Sequence, residues 1–234
     1  MQFLGDVLGD AIRYVFEFGP ELRSILGLTL VVAGVATAIG VLVGVPFGVW
    51  LGLSRFRGRG LVLALVNTGM GIPPVLAGLL LLILLWNDGV LGSWDALFTP
   101  GAMIGAQALL AFPIAAGVTA GAVRNLSGDA VEQLDALKVS GSQRTWIAAR
   151  EVWPGIAAAV AAAFGRVIAE VGAVLIVGGN IAGETRVLTT AIVQEARQSN
   201  LGAALGLGIV LLLVALLVNL ALTWAQLRGE AAPS

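Results

Sequence analysis

The sequence of 234 residues contains no cysteine and no histidine, and a single lysine, Lys138. Without cysteine there are no disulfides and no thiol nucleophile. Without histidine there is no serine–histidine catalytic pair, and with neither there is no zinc site of the usual ligand types. Lys138 is followed by Val139 and is not preceded by a glycine-rich loop, so the chain has no phosphate loop with which to use ATP itself. Charge is scarce too: 12% of the residues are Asp, Glu, Lys or Arg, about half the load of a soluble domain. The balance of 13 basic against 14 acidic residues gives no basic surface for nucleic acid and no acidic tail for a basic partner. No catalytic group and no metal ligand set are assigned.

What fills the chain is apolar. Hydrophobic residues make up 58% of it, with 32 glycines among the remainder, and the mean hydropathy is +0.96. Long uncharged runs rich in Gly, Ala and Leu suit helices packed closely in lipid, so an all-α, polytopic membrane protein is expected. In residues 1–20, Phe3, Leu4, Val7, Leu8, Ala11, Ile12, Val15 and Phe16 recur at helical spacing, with Asp6, Asp10, Arg13 and Glu17 on the other side. Too charged to span, this segment reads as an amphipathic helix lying in the membrane interface; the alternative is a helix covering a soluble core. Gly19 and Pro20 end it. It has neither a basic leader nor a cleavage site, and is read as part of the mature protein.

Five segments meet the requirement of ~20 apolar residues for a spanning helix: 25–53, 61–86, 102–123, 156–177 and 201–224. Together they define a five-helix domain over residues 21–228, followed by a tail, 229–234. Pro46 is expected to kink the first and Pro113 marks the third. Gly69, Gly71, Pro73 and Pro74 prevent the second from forming an unbroken helix. Basic residues set the orientation. Arg55, Arg57, Arg59, Arg124, Lys138, Arg144, Arg150 and Arg228 fall on one side, and only Arg13, Arg23, Arg186 and Arg197 on the other. The richer side is expected to be cytoplasmic, with the N-terminus outside and the C-terminus inside.

The interval 124–155 is the longest polar stretch and reads as structured. Asp129 can cap a helix with Glu132 three residues on, Val131, Leu134 and Leu137 give it an apolar edge, and Gly141 stops it. A second helix is expected over 142–152, before Pro154. Such a helix, glycine, helix pattern can present a rigid knob to a soluble partner; an amphipathic hairpin on the headgroups fits the periodicity equally.

Asp135, Ala136, Leu137, then three residues and Gly141, then nine residues and Glu151, Val152, Trp153 and Pro154 resemble the signature of binding-protein-dependent ABC importer permeases, written EAA, x3, G, x9, I, x, L, P. Asp135 stands for Glu, Leu137 for the second Ala, Glu151 for Ile and Trp153 for Leu. The resemblance implies a type I ABC importer permease fold, in which Glu132, Asp135, Ala136, Leu137, Gly141 and Pro154 belong to a coupling element seated on an ATPase subunit. The run from Glu170, Val171, Gly172 through Gly178, Gly179, Asn180, Ile181 to Thr185, Arg186, Val187, Leu188, Thr189 and Thr190 is similar to that of tungstate permeases. So is the run from Asn67 through Pro73 and Pro74 to Leu81. Molybdate permeases more often read Glu, Phe, Gly, Ala, Thr at the first of these, and Val171, Val174 and Gly178 lean toward tungstate.

The resemblance implies an oxyanion importer subunit working by alternating access, tungstate first, with molybdate or sulfate as alternatives. Its implied partners are a second copy of itself, two cytoplasmic ABC ATPase subunits that carry ATP and Mg, and an extracytoplasmic oxyanion-binding protein. The implied location is the cytoplasmic membrane of a prokaryote. Five spans are few to enclose a path with two gates, which also favours a two-fold pair. Arg166 and Glu170, at i and i+4 on the fourth span, are read either as a structural ion pair or as a charged element near the path. With them, Asn67, Pro73, Pro74, Gly178, Gly179 and Asn180 are pathway or gate candidates, and Thr185, Arg186 and Thr189 are candidates to face the binding protein. A membrane scaffold would not need the patterned loop. An intramembrane enzyme would need two facing carboxylates or a nucleophile with its base, and Glu170 is the only acid in an expected span.

Overall fold

The computed structural model describes residues 2–126 and 140–230. Among these the backbone forms ten α-helices, one turn of 3-10 helix at Gly92–Trp94 and no strand. In chain order they are α1 (Gln2–Glu17), α2 (Pro20–Leu53), α3 (Arg59–Met70), α4 (Pro74–Leu85), α5 (Pro100–Arg124), α6 (Gly141–Glu151), α7 (Trp153–Ile168), α8 (Gly172–Gly178), α9 (Leu188–Arg197) and α10 (Leu201–Glu230).

Three of the expected spans are single helices long and apolar enough to cross a membrane: α2, α5 and α10. At ~1.5 Å per residue, the 34 residues of α2 extend ~51 Å, well beyond a ~30 Å hydrocarbon core. The second expected span is broken into α3 and α4, as its Gly and Pro content requires. Pro73 takes the N-cap of α4 with φ −61° and ψ 124°, and Pro74 follows as N1, where a missing N–H costs nothing. The fourth expected span, 156–177, is not one helix. It stops at Ile168 and restarts at Gly172, because the Glu170 carboxylate takes the amide of Ala173 at 3.2 Å instead of leaving the ladder to continue. Leu42, Leu61, Leu65, Leu212 and Leu217 are more than 60% exposed. So much apolar surface on spanning helices fits lipid and not water.

The chain divides into two compact units. The first holds residues 2–36, Pro73–Gln107 and Val167–Val218. Its core joins Leu22 and Ile25 of α2, Leu188 and Ala191 of α9, and Leu207 and Val210 of α10, with Tyr14 of α1 against them. The helix α1 lies on a small-residue face of α10: a Cβ on Gly202 would meet Asp10 and one on Gly206 would meet Ala11 and Tyr14. That buries Ala11 and leaves Phe3, Leu4, Leu8, Ile12 and Phe16 exposed, the stripe expected of an interfacial helix.

The second unit holds Thr37–Ile72, Ala108–Arg166 and residues 219–230. Its seam is a ladder of glycines on α2, Gly40, Gly44, Gly48 and Gly52, one per turn, facing α5. A Cβ added at Gly44 would fall 2.8 Å from Ala115 Cβ, at Gly48 2.5 Å from the Ala116 carbonyl oxygen, and at Gly52 2.6 Å from Val123. Real Cβ atoms do not come so close, so only glycine lets these two backbones approach. On α5, Gly117 likewise faces Met70 and Val66 of α3, while Gly69 of α3 sits against Pro113.

Candidate functional site

The helices α6 and α7 meet at 81°. Ser140 and Gln143 start α6 with a full capping box: Gln143 N donates to Ser140 Oγ at 3.4 Å, and Ser140 N to Gln143 Oε1 at 3.0 Å. Gly141 is therefore the first residue of α6, one residue ahead of the start expected for the second helix; the helix expected before it lies outside the described residues. Gly141 is not among the residues with positive φ, and a Cβ added to it would meet nothing within 4 Å. Glu132, Asp135, Ala136 and Leu137 lie outside the described residues. At the elbow, Ala148 of α6, Val152 of the turn that follows it and Ile156 of α7 pack with Val49 of α2 and Val123 of α5 into one buried cluster. Gly155, next to Pro154, comes so close to α5 that a Cβ would stand 2.5 Å from Ala122 Cβ. These contacts pack the elbow between α6 and α7 against two spanning helices, α2 and α5.

One turn away, Arg59 binds the end of α2: its Nε donates to the Leu51 carbonyl at 3.0 Å and its Nη2 to the Gly52 carbonyl at 2.9 Å. A guanidinium is favoured there because it satisfies the last carbonyls and offsets the helix dipole.

Asn67 is exposed on α3, and Pro73 and Pro74 form the start of α4. Arg166 occupies the last turn of α7, where a cation suits the dipole. Glu170 is 4% exposed. The helix α7 ends at Ile168, and Glu170 organises the break that follows: its carboxylate accepts from Ala173, and its backbone carbonyl accepts from Thr189 Oγ1 at 2.8 Å. The helices α4 and α8 are in close contact, with Gly78 against the backbone of Ala173 and Gly172 against Val75. Gly178 abuts Met103 of α5. Gly179 has φ 71° and Asn180 φ 54°, so two successive left-handed residues turn the chain out of α8. Asn180 Nδ2 donates to Gln194 of α9.

Thr185 and Thr189 do not face outward as expected. Thr185 is fully buried; its hydroxyl donates to the Gly178 carbonyl and accepts from Ile181 N at 2.9 Å, closing the turn. Thr189 is 4% exposed and holds Glu170. Arg186 is paired with Glu21 at 3.3 Å, its side chain 14% exposed. These three residues tie the segment after α8 to the rest of the first unit, and Thr29 on α2 adds to this by accepting the first amide of α9, Leu188 N, at 2.9 Å.

The glycine ladder, the Ser140 cap and the elbow cluster were not singled out in the sequence. The first two carry signals that could have found them: small residues at every fourth position of an apolar run, and Ser followed three residues later by Gln.

Against this geometry stand the likenesses to known proteins. Residues 44–228 match the family described as binding-protein-dependent transport system inner membrane component. A probable anion ABC transporter permease protein of Haloferax volcanii is 40% identical over 203 residues, 85% of this chain and 88% of that protein. The tungstate uptake system permease protein TupB of Peptoclostridium acidaminophilum is 36% identical over 220 residues, covering 94% and 96%. TupB of Campylobacter jejuni is 30% identical over 219 residues, covering 94% and 92%. The matched span takes in every helix from the second half of α2 to α10, and the chain belongs to the family of binding-protein-dependent transport system inner membrane components.

Proposed function

We propose that the chain is the membrane-spanning permease subunit of an ATP-driven oxyanion importer, with tungstate as its first substrate. Two copies work together by alternating access. Two ABC ATPase subunits supply the energy from the cytoplasm, and an extracytoplasmic binding protein delivers the anion. The likeness to tungstate permeases along almost the whole chain supports the substrate. Bringing a dianion into a cell works against the membrane potential by ~2.3 kcal/mol per charge per 100 mV, so an energy source outside this chain makes physical sense.

The observation that carries the mechanism is the elbow cluster. A partner that moves α6 pulls on Val152 and Ala148, and through Val49 and Val123 on α2 and α5. The N-terminus lies outside and the C-terminus inside, in keeping with the basic residues around α6 and the α2–α3 connection.

The test is reconstitution of the permease with its ATPase and binding protein in vesicles, with ATP hydrolysis and uptake read for each oxyanion. Tungstate-loaded binding protein should stimulate hydrolysis and uptake most. A larger response to molybdate or sulfate would reassign the substrate, and no response to any of them would overturn the reading.

A further inference from the structure

Within the second unit, the ends of α2 and α5 and the starts of α3 and α6 enclose a groove of about 730 Å³, a volume typical of small-molecule sites. Its described walls carry Arg55, Arg59, Arg124 and Arg144 and no carboxylate. The guanidiniums of Arg55, Arg59 and Arg124 give the concavity positive charge, and an anion held among them offsets it. Arg59 is fixed by its bonds to the Leu51 and Gly52 carbonyls, so the carbonyl end of α2 is already neutralised. Arg55 and Arg124 have exposed side chains that make no hydrogen bond or ion pair among the described residues.

The start of α6 adds to the positive field. It opens on the groove through Gly141 and Thr145, with no acid in its first turn, so the positive end of its dipole faces the same space. At the rim, Trp50 and Phe56 stack at 5.4 Å and are both more than a third exposed. Aromatic rings of this kind collect where hydrocarbon meets headgroups.

We propose that this groove is a binding site for a tetrahedral oxyanion group: the phosphate of an anionic phospholipid headgroup, or a free oxyanion of the same chemistry. Guanidinium forks suit such a group because each can give two parallel N–H bonds to its oxygens. The proposal does not depend on which anion the protein transports.

The test uses the intact chain purified in neutral detergent, alongside the double variant Arg55→Gln, Arg124→Gln. Both substitutions are at exposed side chains. Arg57→Gln, a neighbouring exposed arginine outside the groove walls, is the control. Retention of added phosphatidylglycerol against phosphatidylcholine is followed by native mass spectrometry, and binding of sodium tungstate and of inorganic phosphate by calorimetry.

A lipid site predicts adducts selective for phosphatidylglycerol that the inorganic anions displace poorly. A free-oxyanion site predicts saturable tungstate or phosphate binding to lipid-free protein. In either case the double variant should bind roughly tenfold more weakly or worse, and the Arg57 variant should match the parent. Should the double variant not fold, thermal stabilisation of the parent by the same probes at rising salt replaces it, and a shift seen with none of them overturns the site. Equal binding by parent and double variant, or equal losses in the double and control variants, overturns it too.

Discussion

Thr189 on α9 gives its hydroxyl to the backbone carbonyl of Glu170, 2.8 Å away and nineteen residues earlier in the chain. The bond holds the break between α7 and α8 against α9, and both residues are buried. Thr189→Val keeps the shape and leaves that carbonyl without this donor. A loss of ~1–3 kcal/mol is expected, read as a lower unfolding temperature in detergent, with Thr189→Ser close to the parent. If Val and Ser behave alike, the hydroxyl does not hold the break.

The helix α2 contains a matched control for its own glycine ladder. Gly34 has open space where a Cβ would go, whereas at Gly48 the Cβ would stand 2.5 Å from a backbone oxygen of α5. Gly34→Ala should be neutral or stabilising by ~0.5–1 kcal/mol, through the helix entropy that glycine forfeits. Gly48→Ala should cost at least the ~1–3 kcal/mol of an overpacked core and lower the folded yield. Equal effects at the two positions would mean that the helices do not meet as described.

Coupling can be probed at the elbow without touching the partner. Val152→Ala removes two methyl groups from the cluster of Val49, Val123, Ala148 and Ile156, at a cost of about 1–3 kcal/mol. The expected outcome is a protein that still holds its ATPase, but whose hydrolysis responds weakly to loaded binding protein. Gly141→Ala should be tolerated, since the site is open and helical. Ser140→Ala should loosen the start of α6 by ~1 kcal/mol through loss of the cap. Full stimulation in the Val152 variant would show that force passes elsewhere.

Orientation is testable because the chain has no native cysteine. Arg57→Cys should resist an impermeant maleimide in intact cells, and Ser93→Cys, on an exposed residue of the 3-10 turn, should react. Gln143 is a poorer probe, because its side chain completes the cap of α6. Labelling of Arg57→Cys from outside would invert the topology.

Composition and hydropathy made the helical membrane architecture legible, because the bilayer leaves few solutions to an uncharged run. The break before Pro74 was legible for a local reason: proline has no amide to give. The break at Glu170 was not, since it depends on a carboxylate finding Ala173 and on Thr189 arriving from another helix. Thr185 and Thr189 looked like surface polar residues because sequence shows a hydroxyl but not its acceptor. Gly141 was expected to stop one helix, and Ser140 and Gln143 place it in the first turn of the next.

The seam between α2 and α5 constrains how this sequence can drift. A Cβ on Gly48 would meet the Ala116 carbonyl oxygen, and one on Gly44 would meet that of Phe112 as well as the Ala115 side chain, so no loss of a side chain on α5 makes room for a methyl group on α2. Among descendants of such a chain, these two positions should stay glycine for as long as the distance between the two backbones is inherited unchanged.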